Sequence, residues 1–325
     1  MTNLQEHTLP RVAILMINWN AYNYTKACLE TLEACDRSLF DPIVIDNSSS
    51  DDSVARLKEE FPETIFLMNP VNGGFTGGNN FGIRYALEQD YEFIMLLNND
   101  TEVAPDFLEP LLQKLDDHPE VVAVQPKIMY NHDRNQIWSA GGRFRKWLGT
   151  PVTRGAEKAD HVKYDEPVKL DWATACCILT RTANVRKVGA QNECFFYGCF
   201  DDVDWSFRLA EQGKYELHYI PDSIIFHDAG VAGKSKEPGK EGFLKPFVLY
   251  LYTRNNFFFL RLHGSRIFIP TIVAFHLSKT IATLIYFFVR GRYRKLAATF
   301  SGLVDGLRQD MRSEINHLEA IKRFK

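Results

Sequence analysis

The chain has 325 residues, enough for one large domain or two modest ones, and its 45% hydrophobic and 24% charged residues are ordinary for a globular protein. The net charge of −3 hides an asymmetry, because residues 234–325 carry a balance of +11 and the preceding residues one of −14. An acidic body with a basic tail predicts two tasks: the tail favours an anionic surface such as a membrane, and no nucleic-acid partner is expected.

The cysteines and the N-terminus predict a cytosolic protein. The six cysteines form no CxxC pair, and two of them, Cys176 and Cys177, lie inside an apolar run, so we interpret them as reduced core residues. The N-terminal segment "MTNLQEHTLPR" lacks a basic region followed by an apolar core, and no signal peptide is therefore expected.

Short, continuous apolar runs alternate with amphipathic segments in the first half of the chain. This pattern predicts strands over 11–17, 42–46, 64–68 and 92–98, and helices over 24–34, 51–60 and 78–88. Continuous apolar runs are typical of parallel strands that are covered by helices on both faces, so the predicted class is α/β.

Three of these predicted strands end in polar residues. The ends read Asn18-Trp19-Asn20, Asp46-Asn47-Ser48 and Asn98-Asn99-Asp100. Ligands of parallel sheets bind beyond the carboxyl ends of the strands, so three polar ends at one edge indicate a site. Turn and helix-capping chemistry is the alternative for each end taken singly.

The segment "NPVNGGFTGGNNFGI" (69–83) is rich in glycine and asparagine. Its glycine spacing fits neither a Walker loop nor the dinucleotide fingerprint. It would still let backbone amides approach a phosphate at a helix start, unless it is only a flexible turn.

The second half places acids and a histidine near element ends. The sequence predicts a long strand over 169–182, a helix over 202–211 stopped by Gly213, and two short strands within 216–230 that end in His227 and Asp228. Asp201, Asp202 and Asp204 beside aromatic residues indicate chemistry, with N-capping as the alternative. His227 is either structural or a metal ligand.

Together these motifs resemble the family 2 glycosyltransferases of the GT-A fold, and among them the rhamnosyltransferase-like enzymes of bacterial and archaeal surface polysaccharides. The matching motifs are "ILMINWN", "VIDNSSSD", "NGGFTGGNNFGI", "LLNNDTEV", "WSAGG" and "FFYGCFDDVDWSFRL". The resemblance implies a mixed, mainly parallel sheet with helices on both faces, followed by a helical C-terminal extension.

The resemblance also implies a role for each site residue. Asp202 would be the catalytic base with Asp201 as its neighbour, and Asp100, Glu102 and His227 would bind Mn²⁺ or Mg²⁺. The family's Asp-x-Asp motif here reads Asn98-Asn99-Asp100, which leaves one acid. Donor binding is implied for Asn18, Asn20, Asp46, Asn72, Gly74, Gly77, Asn79, Asn98, Asn99, Asp171 and Trp172.

The predicted reaction is inverting, metal-dependent transfer of a sugar from a nucleotide diphosphate to a lipid-linked or polysaccharide acceptor in surface-glycan synthesis. The resemblance favours L-rhamnose from dTDP-rhamnose. A UDP-hexose donor is the alternative within this reaction. A nucleotidyltransferase and a non-catalytic sugar-nucleotide or glycan-binding module are the alternatives from other classes.

The tail is predicted to associate with a membrane. Residues 266–290 are long and apolar enough to span one, but Lys279 would then lie near its centre, and His276, Lys279, Thr283, Tyr286 and Arg290 form one polar stripe on a helix. An amphipathic helix on the cytoplasmic face is favoured, with a span or packing against the body or a second subunit as alternatives. A further amphipathic helix is predicted over 302–324.

The predicted domains are a catalytic domain, 1–235, and a basic helical membrane-associating region, 236–325. The catalytic domain divides into a nucleotide-sugar-binding half of about 10–126 and an acceptor-side half of about 127–235. The expected location is the inner face of the cell membrane, with a homodimer left open.

Overall fold

The computed structural model describes residues 11–196, 198–228, 234–239, 242–310 and 322–324. The strands are β1 Val12–Asn18, β2 Phe40–Asp46, β3 Ile65–Met68, β4 Phe93–Leu97, β5 Thr101–Val103, β6 Val121–Tyr130, β7 Gln136–Ser139, β8 Gly142–Arg145, β9 Thr150–Thr153, β10 Lys158–Ala159, β11 Val168–Leu170, β12 Cys177–Arg181, β13 Glu216–His227, β14 Lys234–Gly239 and β15 Gly242–Leu244. The helices are α1 Tyr22–Glu33, α2 Ser53–Glu60, α3 Gly74–Glu88, α4 Glu109–Asp117, α5 Thr182–Val188, α6 Asp201–Leu209, α7 Pro246–His263, α8 Ile269–Val289 and α9 Tyr293–Arg308.

One mixed sheet of eleven strands organises the chain. Its main path runs β10-β7-β6-β12-β4-β1-β2-β3. Strands β4, β1, β2 and β3 are parallel, as the apolar runs predict, whereas β12 is antiparallel to both β4 and β6. The carboxyl ends of β1, β2 and β4 therefore meet at one edge, which is where the site lies.

Helices cover both faces of this sheet. One core lies between the sheet and helices α1 and α4, and includes Leu29 and Leu111. The other core lies between the sheet and helices α3, α5 and α6, and includes Ile83 and Trp205. Because β1 is buried on both faces, its sequence is a continuous apolar run instead of an alternating one.

Helix α3 begins at Gly74, four residues earlier than predicted. The glycine-rich segment is thus the first turns of a helix instead of a loop. Its glycines permit close packing on the sheet: a Cβ at Gly82 would lie 2.8 Å from Ile45 Cδ1, and one at Gly78 would lie 3.0 Å from Ile17 Cδ1.

Two strand predictions in the second half of the chain are wrong. The segment 169–182 is not one strand, because it leaves the sheet between β11 and β12 and carries residues 171–176 past the site. Conversely, the region predicted as two short strands is the single strand β13, Glu216–His227, whose register shifts between Ile220 and Ile224. A β-bulge interrupts the regular pattern of a strand, so one bulged strand resembles two short strands in the sequence.

The C-terminal helices pack onto the catalytic body. Phe258 and Phe259 of α7 are fully buried with Trp172, Phe195 and Phe200, so α7 completes a core of the preceding domain. Helix α9 packs along α7, with Gly302 close to the Tyr250 carbonyl. The predicted domain boundary near residue 235 adjoins residues 229–233, which, like 1–10, 197 and 311–321, lie outside the described residues.

Candidate active site

A cavity of about 430 Å³ opens at the carboxyl ends of β1, β2 and β4. All three polar strand ends and the start of α3 reach it, as the sequence predicts. Its lining includes Trp19, Asn20, Asn47, Asn72, Gly74, Asn79, Asn98, Asn99 and Asp100. A concave space with convergent polar groups is the expected form of a small-molecule site.

Asn18 and Asp46 form a buried pair at the ends of β1 and β2. Asn18 Nδ2 donates to Asp46 Oδ1 at 3.3 Å and to Ser53 Oγ at 3.0 Å, and Thr25 Oγ1 donates to Asn18 Oδ1 at 2.9 Å. The Ser49 amide donates to Asp46 Oδ2 at 3.1 Å. This network fixes the Asp46 carboxylate behind the cavity.

Asn20 and Asn72 shape the loops at the cavity mouth. Asn20 has a φ of 51° and its Oδ1 accepts the Ser50 amide at 2.8 Å, which joins the ends of β1 and β2. Asn72 Oδ1 accepts the Gly74 amide at 2.9 Å and Asn47 Nδ2 at 3.2 Å. Both predicted donor-binding residues therefore also act in the local turn chemistry that was the alternative.

The first turns of α3 present backbone to the cavity. Gly74 has a φ of +66°, which favours glycine. A Cβ at Gly77 would meet no described atom within 4 Å, so the backbone there faces open space. The amides of Gly74 and Gly77 already donate to Asn72 Oδ1 and to the Gly73 carbonyl, so the open space over Gly77 is what leaves room for a phosphate at this helix start.

Asp100 and His227 meet at the end of β4. His227 Nε2 lies 3.1 Å from Asp100 Oδ1 and 3.4 Å from Asn98 Nδ2. Trp138 packs against the imidazole at 4.5 Å between ring centroids, and His227 Nδ1 is buried with no hydrogen-bond partner among the described residues. A carboxylate and an imidazole at this spacing fit a shared divalent cation.

Glu102 does not join these two groups. Its carboxylate is ion-paired with Arg134 and accepts Asn131 Nδ2 at 2.9 Å. Within the part of the chain that the structure describes, no three His, Cys, Asp or Glu side chains are grouped to hold a metal. The assignment of Glu102 from the resemblance does not take account of Arg134, a partner more than thirty residues away in sequence.

Asn98 and Asn99 connect the end of β4 to two neighbouring segments, Asn98 through its backbone amide and Asn99 through its side chain. The Asn98 amide donates to the Cys176 carbonyl at 2.8 Å, which ties the end of β4 to the segment before β12. Asn99 Nδ2 donates to Thr25 Oγ1 at 2.8 Å, so the amide links this end to α1. Both residues line the cavity, as predicted.

The carboxylates Asp201 and Asp202 begin α6 and have unequal pKa values. Burial and the neighbouring charge of Asp202 raise the pKa of Asp201 well above its usual range. Burial also raises the pKa of Asp202, but hydrogen bonds from the Val203 amide, Thr174 and the Ala175 amide limit the rise to about 6. The hydrogen bonds that Asp202 accepts stabilise its ionised form, which favours Asp202 over Asp201 as a base.

A hydrogen-bonded bridge connects this acidic pair to the cavity. Asn79 Nδ2 donates to Gln191 Oε1 at 3.0 Å, and Gln191 Nε2 donates to Asp201 Oδ2 at 3.3 Å. Asp202 and Asp100 also lie close enough to Cys176 for both charges to add to the burial that raises the pKa of this thiol. The predicted metal and base residues thus approach the same segment from two sides.

Asp171 and Trp172 lie away from this cavity, contrary to the prediction. Asp171 Oδ2 accepts the Phe144 amide at 2.8 Å and lines a different cavity. Trp172 is buried against the helices and donates from Nε1 to the Arg143 carbonyl at 3.1 Å. Both side chains hold the β8 hairpin in place instead of facing a donor.

Sequence reasoning missed a support for the acidic pair on α7. Residues 198–200 all have positive φ, between 71° and 90°, although only Gly198 is a glycine. Asn255 Nδ2 donates to the carbonyls of Gly198 and Cys199, each at 3.1 Å. The polar "RNN" within an apolar helix, residues 254–256, is the signal that could have revealed this contact.

Comparison with known proteins shows what the chain is similar to. Residues 13–168, just under half of the chain, match the model of glycosyl transferase family 2. The matched residues include the whole cavity lining, while the acidic pair and His227 lie beyond the match.

Among curated proteins, the chain is similar to the low-salt glycan biosynthesis hexosyltransferase Agl10 of Haloferax volcanii. The two are 24% identical over 213 residues, which is 64% of this chain and 64% of that protein. The chain thus spans less than two thirds of this curated relative.

Solved structures show that the fold is GT-A. The mannosyltransferase PcManGT of Pyrobaculum calidifontis, solved with GDP-Man and Mn²⁺, matches with a TM-score of 0.54 at 14% identity, over 94% of this chain and 89% of that chain. TarS 1-349 of S. aureus, solved with UDP-GlcNAc, matches with a TM-score of 0.57 at 12% identity, over 96% and 88%. At such identities the likeness establishes the fold alone.

Proposed function

We propose that this chain is an inverting glycosyltransferase that moves a sugar from a nucleotide diphosphate to a lipid-linked or polysaccharide acceptor. The observation that carries the proposal is the contact of Asp100 with His227 at a cavity that the Asn79–Gln191 bridge connects to the acidic pair Asp201 and Asp202. A buried acidic pair with raised pKa values, connected to a ligand cavity, favours an enzyme over a binding module.

The donor's nucleotide would occupy the cavity between β1, β2 and α3. The buried Asp46 carboxylate would accept a nucleobase donor group, and the open space beside Gly77 at the start of α3 would hold the diphosphate. Trp19 is 45% exposed at this cavity and offers a ring against which a base can stack.

A divalent cation fits Asp100 and His227. It would supply positive charge to the diphosphate leaving group. The Mn²⁺ in the structure of the mannosyltransferase supports this assignment, and an imidazole ligand favours Mn²⁺ over Mg²⁺.

Asp202 would accept the proton of the acceptor hydroxyl as the sugar is transferred. Attack from the side opposite the diphosphate inverts the anomeric centre in one displacement. Burial and the neighbouring charge of Asp202 raise the pKa of Asp201, which disfavours a second negative charge beside the base. Gln191 holds Asp201 in this arrangement and links it to α3.

For the sugar we propose L-rhamnose from dTDP-rhamnose, on the motifs "NGGFTGGNNFGI" and "LLNNDTEV". The alternative is a hexose from a UDP- or GDP-sugar. It is favoured by the hexosyltransferase name of the archaeal relative and by the donors in the two similar structures.

We also propose that the enzyme works at the inner face of the cell membrane, held there by α8. Residues 266–289 have a mean hydropathy of 1.7 and the length of a membrane span, yet only 22% of their apolar window is buried. His276, which belongs to the predicted polar stripe of this helix, faces the catalytic body, where its Nε2 hydrogen-bonds the Leu148 carbonyl at 2.8 Å. This contact favours a helix that lies along the surface instead of a separate span.

A donor screen tests the proposal. Thermal shift and hydrolysis are measured with dTDP-rhamnose, UDP-hexoses and GDP-mannose, each with Mn²⁺, with Mg²⁺ and with EDTA. One donor is expected to raise the unfolding temperature and to be hydrolysed only with metal present. The Asp46→Ala variant serves as the control, because it should lose the shift for every nucleotide.

The outcomes separate the alternatives. Stabilisation by a UDP- or GDP-sugar but not by dTDP-rhamnose would retain the reaction and exclude the rhamnose donor. Binding without hydrolysis or transfer to any acceptor would favour the binding module. No shift with any nucleotide sugar would contradict the proposed function.

A further inference from the structure

The exposed face of α8 is apolar along its whole length. Ile269, Val273, Leu277, Ile281, Ile285 and Phe288 are each about half exposed or more. The adjoining face packs on the body through Ile272, His276 and Thr280. A continuous apolar stripe of this length on a globular protein marks a surface that another phase or molecule covers.

The turn of the β8–β9 hairpin lies against the first turns of this helix. Thr271 Oγ1 donates to the Trp147 carbonyl at 2.6 Å, and His276 Nε2 bonds the Leu148 carbonyl at 2.8 Å. A Cβ at Gly149 would lie 2.4 Å from Leu260 of α7. The hairpin turn is therefore fixed to the helical region, although it belongs to the catalytic body.

The hairpin turn presents residues typical of a membrane interface. Trp147 is 54% exposed, which is unusual for a tryptophan, and the neighbouring Arg145 and Lys146 are also exposed. Tryptophan with flanking cations is the composition found where proteins meet the headgroup layer.

The positive charge around this surface indicates which kind of ligand covers it. Residues 242–304 contain nine Lys or Arg and no Asp or Glu. Lys146 of the hairpin and Arg266 before α8 line the same cavity of about 560 Å³, so two cations from separate segments face one space. An anionic phospholipid supplies both the phosphate for this space and the acyl chains for the apolar face.

We propose that the β8–β9 turn (residues 145–149) and α8 together form one binding surface for an anionic phospholipid bilayer. This inference rests on the membrane attachment proposed above and extends it to the catalytic body. Two contacts from different parts of the chain fix the orientation of the catalytic body on the membrane, which one helix alone would leave free to rotate.

Vesicle binding by the full chain tests the inference. Co-sedimentation is measured with phosphatidylcholine vesicles and with vesicles that also contain phosphatidylglycerol, and tryptophan fluorescence is recorded with brominated acyl chains as quencher. Trp147→Ala is expected to weaken binding roughly tenfold, the effect of losing one aromatic anchor. Lys146→Glu should weaken binding to anionic vesicles and leave the weak binding to neutral ones unchanged.

Matched variants separate the possible outcomes. Val162→Ala and Lys58→Glu change exposed residues of the same kinds elsewhere and should bind as the wild type does. Ile285→Glu removes an anchor on α8. One result would overturn the inference and leave the attachment by α8 intact. In it, vesicle binding is weakened by Ile285→Glu but not by the hairpin variants, and Trp147→Phe loses none of the fluorescence quenching.

Two results would overturn the inference together with the proposed attachment. One is a wild-type chain that binds neither type of vesicle. The other is a stable dimer in solution that dissociates on Ile285→Glu, since a second copy would then cover the apolar face. Neither result bears on the transfer of a sugar to a soluble acceptor, so an activity assay with such an acceptor tests the proposed reaction separately.

Discussion

At the scale of single residues, the proposed base Asp202 gives the first prediction. Asp202→Asn keeps a side chain of the same shape whose Oδ1 can still accept the Val203 amide, but it cannot accept the acceptor proton. We expect donor binding within about twofold of the wild type and a loss of transfer of about a thousandfold, within the range of general-base catalysis. Isothermal titration and initial rates measure the two effects, and retained turnover would exclude Asp202 as the base.

The pKa of Asp202 also predicts the pH dependence. Burial raises this pKa to about 6, and a base acts only when deprotonated. With saturating donor, kcat should therefore rise with pH through about 6 and level off above 7. A rate that stays constant from pH 5 to 7 would be inconsistent with this assignment.

The pair Asp100 and His227 gives the prediction about the metal. Because Glu102 is held by Arg134, the ion depends on few protein ligands, and its affinity should be modest. Asp100→Ala and His227→Ala should abolish the Mn²⁺-dependent part of nucleotide binding, measured by titration with and without EDTA. Glu102→Gln is the matched comparison and should retain most of it; an equal loss in Glu102→Gln would restore Glu102 as a ligand.

At the scale of elements, α7 holds the loop that carries the acidic pair. Asn255→Ala removes both hydrogen bonds to the carbonyls of Gly198 and Cys199, where the backbone is left-handed. We expect a fall in kcat of at least tenfold with little change in donor KM, because the loop precedes the base and not the donor cavity. Asn256→Ala, which removes a hydrogen bond to His276 on the other side of α7, is the control.

How far the elements could be predicted from sequence depends on the range of the interactions. The parallel strands and the polar ends at Asn18, Asp46 and Asn98 follow from local apolar runs and turn residues. The start of α3 was missed because glycine is a weak helix former, and only packing on Ile17 and Ile45 explains it. The Asp202 site was found through its motif, whereas its support by Asn255 is a contact across more than fifty residues.

Across the whole molecule, the change from acidic to basic composition near residue 235 does not coincide with the end of the folded core. The change in composition near residue 235 predicted a separable tail, yet α7 supplies part of the core. Arg254 and Asn255 are fully buried, and the Arg254 guanidinium reaches the Cys194 carbonyl at 3.3 Å. Composition reports the charge of a segment but not which of its faces is buried, so it could not reveal this integration.

This integration leads to a prediction about truncation. A chain ending at residue 235 would expose the aromatic core that Phe258 and Phe259 fill, at a cost of roughly 2 kcal/mol for each ring. A chain ending at residue 264 keeps α7. We expect the shorter chain to unfold at a lower temperature, or to aggregate, and to lose transfer to a soluble acceptor, whereas the longer one retains measurable transfer. Differential scanning calorimetry and activity assays compare the two, and equal stability and activity would show that the catalytic body ends before α7.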